Sequence, residues 1–69
     1  YMSKLINDLV GKQCIIRSEF IFSFAGKTEL SCKIIDADDE WIKICYTEKK
    51  DKQVVKLMRI ENIESIEEQ

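Results

Sequence analysis

Two stretches of this chain place an apolar residue at every second position, and that period of two constrains the fold more than any other feature. Across Glu29–Ala37, Leu30, Cys32 and Ile34 share one parity while Ser31 and Lys33 take the other. Across Trp41–Thr47, Ile42, Ile44 and Tyr46 alternate with Trp41, Lys43 and Cys45. Successive side chains of an extended strand point to opposite faces, so each stretch reads as a strand with one apolar face. Only Ile35 breaks the pattern. The acidic cluster Asp36, Asp38, Asp39 and Glu40 between the two strands reads as a turn, because aspartate tolerates turn backbone angles and its carboxylate bonds nearby amides.

The remaining segments extend this pattern. Gln13–Phe24 is rich in β-branched and aromatic residues, with Cys14, Ile16, Phe20, Phe22 and Phe24 on one parity, and predicts a strand bent or broken near Ser18 and ended by Ala25-Gly26-Lys27. The charged segment Glu48–Gln53 has no glycine or proline to make a tight hairpin and predicts a longer, mobile loop. Val54–Ile60 predicts a fourth strand. Ile60, Ile63 and Ile66 recur every three residues, which predicts a 3₁₀ turn at Glu61-Asn62 and a short last strand around Ser65–Glu67. Ahead of these, Ser3 is a candidate N-cap for one or two helical turns carrying Leu5, Ile6 and Leu9, stopped by Gly11. Short strands with turn signals between them and one leading helix predict an all-β class: a small five-stranded antiparallel barrel behind a short N-terminal helix. Parity assigns Leu30, Cys32, Ile34, Ile42, Ile44, Tyr46, Val55 and Leu57 to its interior, closed below by Leu5 and Leu9.

The chain has 69 residues, enough for a single domain over 2–69, with Tyr1 ahead of Met2 set aside as an extraneous leader. A core of this size supplies only roughly 3 to 5 kcal/mol, so self-association into a homo-oligomer is the expected supplement. Cys14, Cys32 and Cys45 are far apart, form no CxxC pair and lie in strand-like runs, and there is no histidine, so buried thiols are expected rather than a disulfide framework or a zinc site. No metal or cofactor is expected, because the cluster Asp36-Ala37-Asp38-Asp39-Glu40 lacks the alternation and the glycine of a calcium loop. Nor is an enzyme expected: a histidine base, a serine in an elbow motif and a glycine-rich phosphate loop are all missing. Apolar runs of a few residues fall far short of the roughly 20 that span a bilayer, and with free thiols they lead us to expect a soluble, cytoplasmic chain without membrane contact. The net charge of −2 argues against a surface that traps nucleic acid as a whole, leaving room only for a local basic patch.

A short helix, four strands, a 3₁₀ turn and a fifth strand resemble the Sm-like (LSm) fold. Leu30–Asp36 resembles the family's first motif, a hydrophobic strand ending in aspartate, and Leu57-Met58-Arg59-Ile60-Glu61-Asn62-Ile63 resembles the second. Other SH3-like five-stranded barrels share the same strand order. The Sm-like resemblance implies assembly through edge strands and a uridine pocket made by a stacking ring, a loop asparagine and the arginine of the second motif. Here Arg59 carries over and Trp41 is the candidate stacker, while acidic residues of Ala37–Trp41 stand where the asparagine is expected and Ile60 stands in place of a glycine. Lys33, Lys43 and Lys56 each take the parity opposite the assigned apolar face of their strand, so they are expected to form a basic row beside Trp41, a platform for stacking and phosphate contact. The function expected is that of a noncatalytic module that self-assembles and binds single-stranded RNA weakly. The alternative is an SH3-like barrel that binds a protein partner and no nucleic acid.

Overall fold

The computed structural model describes residues 4–69. Its helix α1 covers Lys4–Asn7 and is followed by turns to Gly11, whose left-handed φ of 88° ends the segment and whose N–H donates to the Ile34 carbonyl at 2.6 Å. The Ser3 cap expected for this helix lies outside the described residues. Strand β1 (Gln13–Arg17), helix α2 (Glu19–Ala25), β2 (Glu29–Ala37), β3 (Trp41–Thr47), β4 (Gln53–Arg59) and β5 (Ser65–Glu68) follow in order. The five strands form one antiparallel sheet in the order β4-β3-β2-β1-β5, which leaves β4 and β5 as its edges. A 3₁₀ turn at Ile60–Asn62 leads into β5, close to where the recurrence of isoleucine places it.

The alternation in β2 and β3 is realised as read. Leu30, Cys32, Ile34, Ile42, Ile44 and Tyr46 are all buried on one face. Ile35 breaks the pattern because the pairing shifts there: Ile34 lies opposite Ile44 and Asp36 opposite Lys43, so Ile35 is the extra residue of a bulge. Beyond it Ala37 returns to the interior opposite Ile42.

The segment read as one bent strand from Gln13 to Phe24 is instead a strand, a cap and a helix. Ser18 is the reason. Its backbone is extended, its hydroxyl oxygen accepts the Phe20 N–H at 3.1 Å, and Glu19 follows at the positive end of the helix dipole. Gly26 closes the helix with a left-handed φ of 74°, its N–H donating to the Phe22 carbonyl. Ile21 is fully buried against the sheet and Phe24 and Ala25 pack beside it, as positions i, i+3 and i+4 of a helix require, whereas Phe22 is 62% exposed. The alternating phenylalanines were thus accidental, and the Ser-Glu start with a glycine stop was the informative signal.

Strand β4 also departs from its assigned parity. Val55 and Leu57 are 55% and 56% exposed, while Met58 is buried and Val54 packs against the core. The register sets Val54 opposite Tyr46, Lys56 opposite Ile44 and Met58 opposite Ile42. With apolar residues on both parities from Val54 to Met58, the sequence period does not choose a face, and a slip of one residue exchanges them. Lys56 can take an inward position because its aliphatic stem covers apolar surface and its ammonium stacks 4.0 Å from the centre of the Phe24 ring. Leu5 is 80% exposed and does not close the core from below, a task that falls to Ile6, Leu9 and Val10. The connection between Thr47 and Gln53 is longer than a tight hairpin, as read, and is shaped by a 3₁₀ turn in which Lys50 and Asp51 accept positive φ, the Glu48 N–H donating to the Lys52 carbonyl at 2.7 Å.

Candidate functional site: the outer face of β2, β3 and β4

The face turned away from the core brings together most of the residues singled out from sequence. Trp41 opens β3 directly opposite Arg59, the last residue of β4, and the guanidinium carbon lies 5.2 Å from the indole ring centre. Lys43 is next along β3, between Leu57 on one side and Asp36 on the other. Lys33 lies on the same face opposite Cys45. Lys56 does not join them, since it points to the opposite face onto Phe24, and the row of three lysines is therefore two. A shallow cleft of about 120 Å³ lies between Trp41, Lys43, Leu57 and the Asp36–Asp38 segment.

The start of β3 is positioned by Asp38. Its carboxylate accepts the backbone N–H of Trp41 at 2.8 Å and of Glu40 at 2.9 Å, and its own N–H donates to the Trp41 carbonyl. The hydrogen bond from Trp41, with that from Glu40, holds the carboxyl below its ordinary titration range. The turn reading of the acidic cluster thus holds through Asp38, whereas Asp36 belongs to β2, opposite Lys43. Arg59 is electrostatically engaged: one guanidinium nitrogen lies 3.1 Å from a Glu61 carboxylate oxygen and 3.6 Å from one of Glu40. The cation best placed for a phosphate is thus already shared between two carboxylates, all partly solvated and individually weak.

Sequence reasoning missed the apolar part of this face. Val55, Leu57 and Ile35 are exposed beside the expected Trp41, with Val55 and Leu57 on the edge strand itself. The signal that could have found them is the run of consecutive apolar residues in Val54–Met58, which one interior cannot bury from both sides.

Other chemistry is weakly provided for. Cys14 and Cys32 are fully buried, and burial pushes the Cys32 thiol up to about 11, away from the thiolate a nucleophile needs. Among the described residues no group of three histidine, cysteine or acidic side chains is arranged to hold a metal ion, and no helix is long and apolar enough to cross a membrane. Compared with family models, with curated proteins and with solved structures, the chain matches none.

Proposed function

We propose that the chain is a noncatalytic, Sm-like assembly module whose sheet curves toward a barrel and which joins copies of itself through its two sheet edges. The observation that supports this reading is the opposite charge of the two unpaired edges. Strand β4 is unpaired on one side and carries Lys56 and Arg59 with Lys52 just before it, while β5 is unpaired at the other end of the sheet and carries Glu67 and Glu68 with Glu64 just before it; of these Arg59 is shared by Glu40 and Glu61, and Glu68 lies 3.6 Å from Lys12. An unpaired edge is a template for another strand, and opposite charge selects which one. Antiparallel addition of β5 from a second copy to β4, with interior parity preserved, sets Ile66 of that copy beside Met58 and its Glu68 beside Lys56. Exposed Val55 and Leu57 lie on the outer face of the same edge strand.

Charge reversal tests this. Lys56→Glu and Glu68→Lys are each expected to weaken self-association about tenfold or more in sedimentation velocity, and the double variant to recover it, since like charges facing each other at an interface cost more than a lost pair. Single variants that assemble like the parent would remove β4–β5 pairing as the joint.

A second reading rests on the Trp41–Arg59 pair, which with Lys43 and Lys33 offers an aromatic surface beside cations for single-stranded RNA. Because Glu40 and Glu61 share the Arg59 guanidinium, the binding is weak and salt-sensitive. In fluorescence anisotropy, labelled oligouridine is expected to bind at about 50 mM salt and to lose affinity with added salt and on Trp41→Ala or Arg59→Ala. No binding at that salt would leave a protein-only role, as in other SH3-like barrels.

A further inference from the structure

We propose that the groove where the end of α2 meets the open ends of β2 and β3 is a binding site for a small amphiphilic anion, one with a flat or chain-like apolar body and a single carboxylate, sulfonate or phosphate head. The groove encloses about 500 Å³, within the range of roughly 300 to 1,000 Å³ usual for small-ligand sites. Phe24, Leu30 and Tyr46 form its apolar wall, and Lys27 and Lys49 line it as the cations. It differs in this from the similarly sized cleft beside the Ile60–Asn62 turn, which is lined by Glu19, Glu61 and Glu64.

Two features of the wall favour such a ligand. Phe24 is only partly buried and meets the buried Tyr46 ring at 5.7 Å with a 36° tilt, so the core holds the Phe24 ring in place at the groove. Lys56 stacks on the Phe24 ring at 4.0 Å, so a third ammonium group backs the same surface. Among the described residues none of Lys27, Lys49 and Lys56 has a carboxylate within ion-pair distance, whereas Lys12, Arg17 and Arg59 all do. Glu48 lines the groove and offsets one of these charges, leaving a local positive excess in a chain of net charge −2. An anionic head gains from that excess, and an apolar body gains by covering the part of the Phe24 ring that is exposed. None of the residues lining the groove lies on β4 or β5, and of its cations only Lys56, which backs the wall from β4, is also placed at the proposed joint.

The probe is 8-anilinonaphthalene-1-sulfonate, an apolar aromatic sulfonate, titrated by fluorescence and by amide chemical shifts. The expected result is binding that moves amides in residues 24–30 and 46–49, weakens at least about tenfold in the Lys27→Glu/Lys49→Glu variant and is unchanged in Lys33→Glu/Lys43→Glu. Hexanoate is expected to displace the probe, inorganic phosphate alone is not. Shift changes on the outer face instead, abolished by Val55→Ser/Leu57→Ser, would overturn the proposal, as would equal displacement by phosphate. Because the shift map is recorded on the unsubstituted chain, a variant that fails to fold does not rescue the idea.

Discussion

Ile44→Ala is expected to leave most of the chain unfolded at room temperature. Ile44 lies in mid β3, fully buried, with β2 on one side and β4 on the other. Truncating such a residue removes its transfer free energy and leaves a cavity, together about 2 to 5 kcal/mol. A chain this short has a total stability of about the same size. Met58→Ala, also buried, should behave alike, whereas Leu57→Ala next to it should shift stability by less than about 1 kcal/mol because Leu57 is already exposed. Urea denaturation of the three variants at several protein concentrations checks this, the concentration series separating folding from association. If Leu57→Ala were ruinous and Met58→Ala benign, β4 would be paired one residue out of the register described.

Ser18→Ala is expected to cost about 2 to 4 kcal/mol, far more than the loss of a hydroxyl usually does. The Ser18 hydroxyl is buried between two elements distant in sequence. It accepts the Phe20 N–H as the cap of α2 and donates to the Asn62 carbonyl at 2.6 Å. Alanine removes the cap and leaves both the Phe20 N–H and the Asn62 carbonyl without the Ser18 hydroxyl that joins them. The effect should spread to β5, because Asn62 ends the 3₁₀ turn that delivers that strand to β1, where Arg17 faces Ser65. Ser23→Ala is the control: its hydroxyl donates to Phe20 from an exposed position, and a change within about 0.5 kcal/mol is expected. Thermal melts of both variants, with Ser18→Thr retaining most of the stability, distinguish a specific double tether from a general preference for serine.

What could be read ahead of the structure depended on how many residues agreed on one face. In β2 and β3 every inward position is apolar, while the outward ones are mostly polar apart from Ile35, Trp41 and Cys45, so a slip of register would have exposed the whole inward set, and both strands were legible. In β4 the two parities are equally apolar, and the inward face is decided by contacts with Ile42, Ile44 and Tyr46 that lie elsewhere in the chain. Around Ser18 two local signals competed, and alternation was given more weight than capping, although Ser18, Glu19 and Gly26 state the helix plainly. The candidate site was legible in part for a related reason. Trp41, Lys43 and Lys33 share a face because β2 and β3 alternate as read, and Arg59 joins them because β4 takes the parity opposite to the one assigned; the carboxylates that occupy Arg59 come from the turn before β3 and the turn after β4, and only the folded chain brings them together.

The central claim is that β4 and β5 are joining edges rather than solvent-facing ends. Amide hydrogen exchange measured residue by residue over a range of protein concentrations tests it directly. The account predicts that the β4 amides not bonded to β3, and the β5 amides not bonded to β1, become protected together as concentration rises, while those of β2 stay constant. Exchange at both edges that is independent of concentration, or protection that rises at α2 instead, would contradict it.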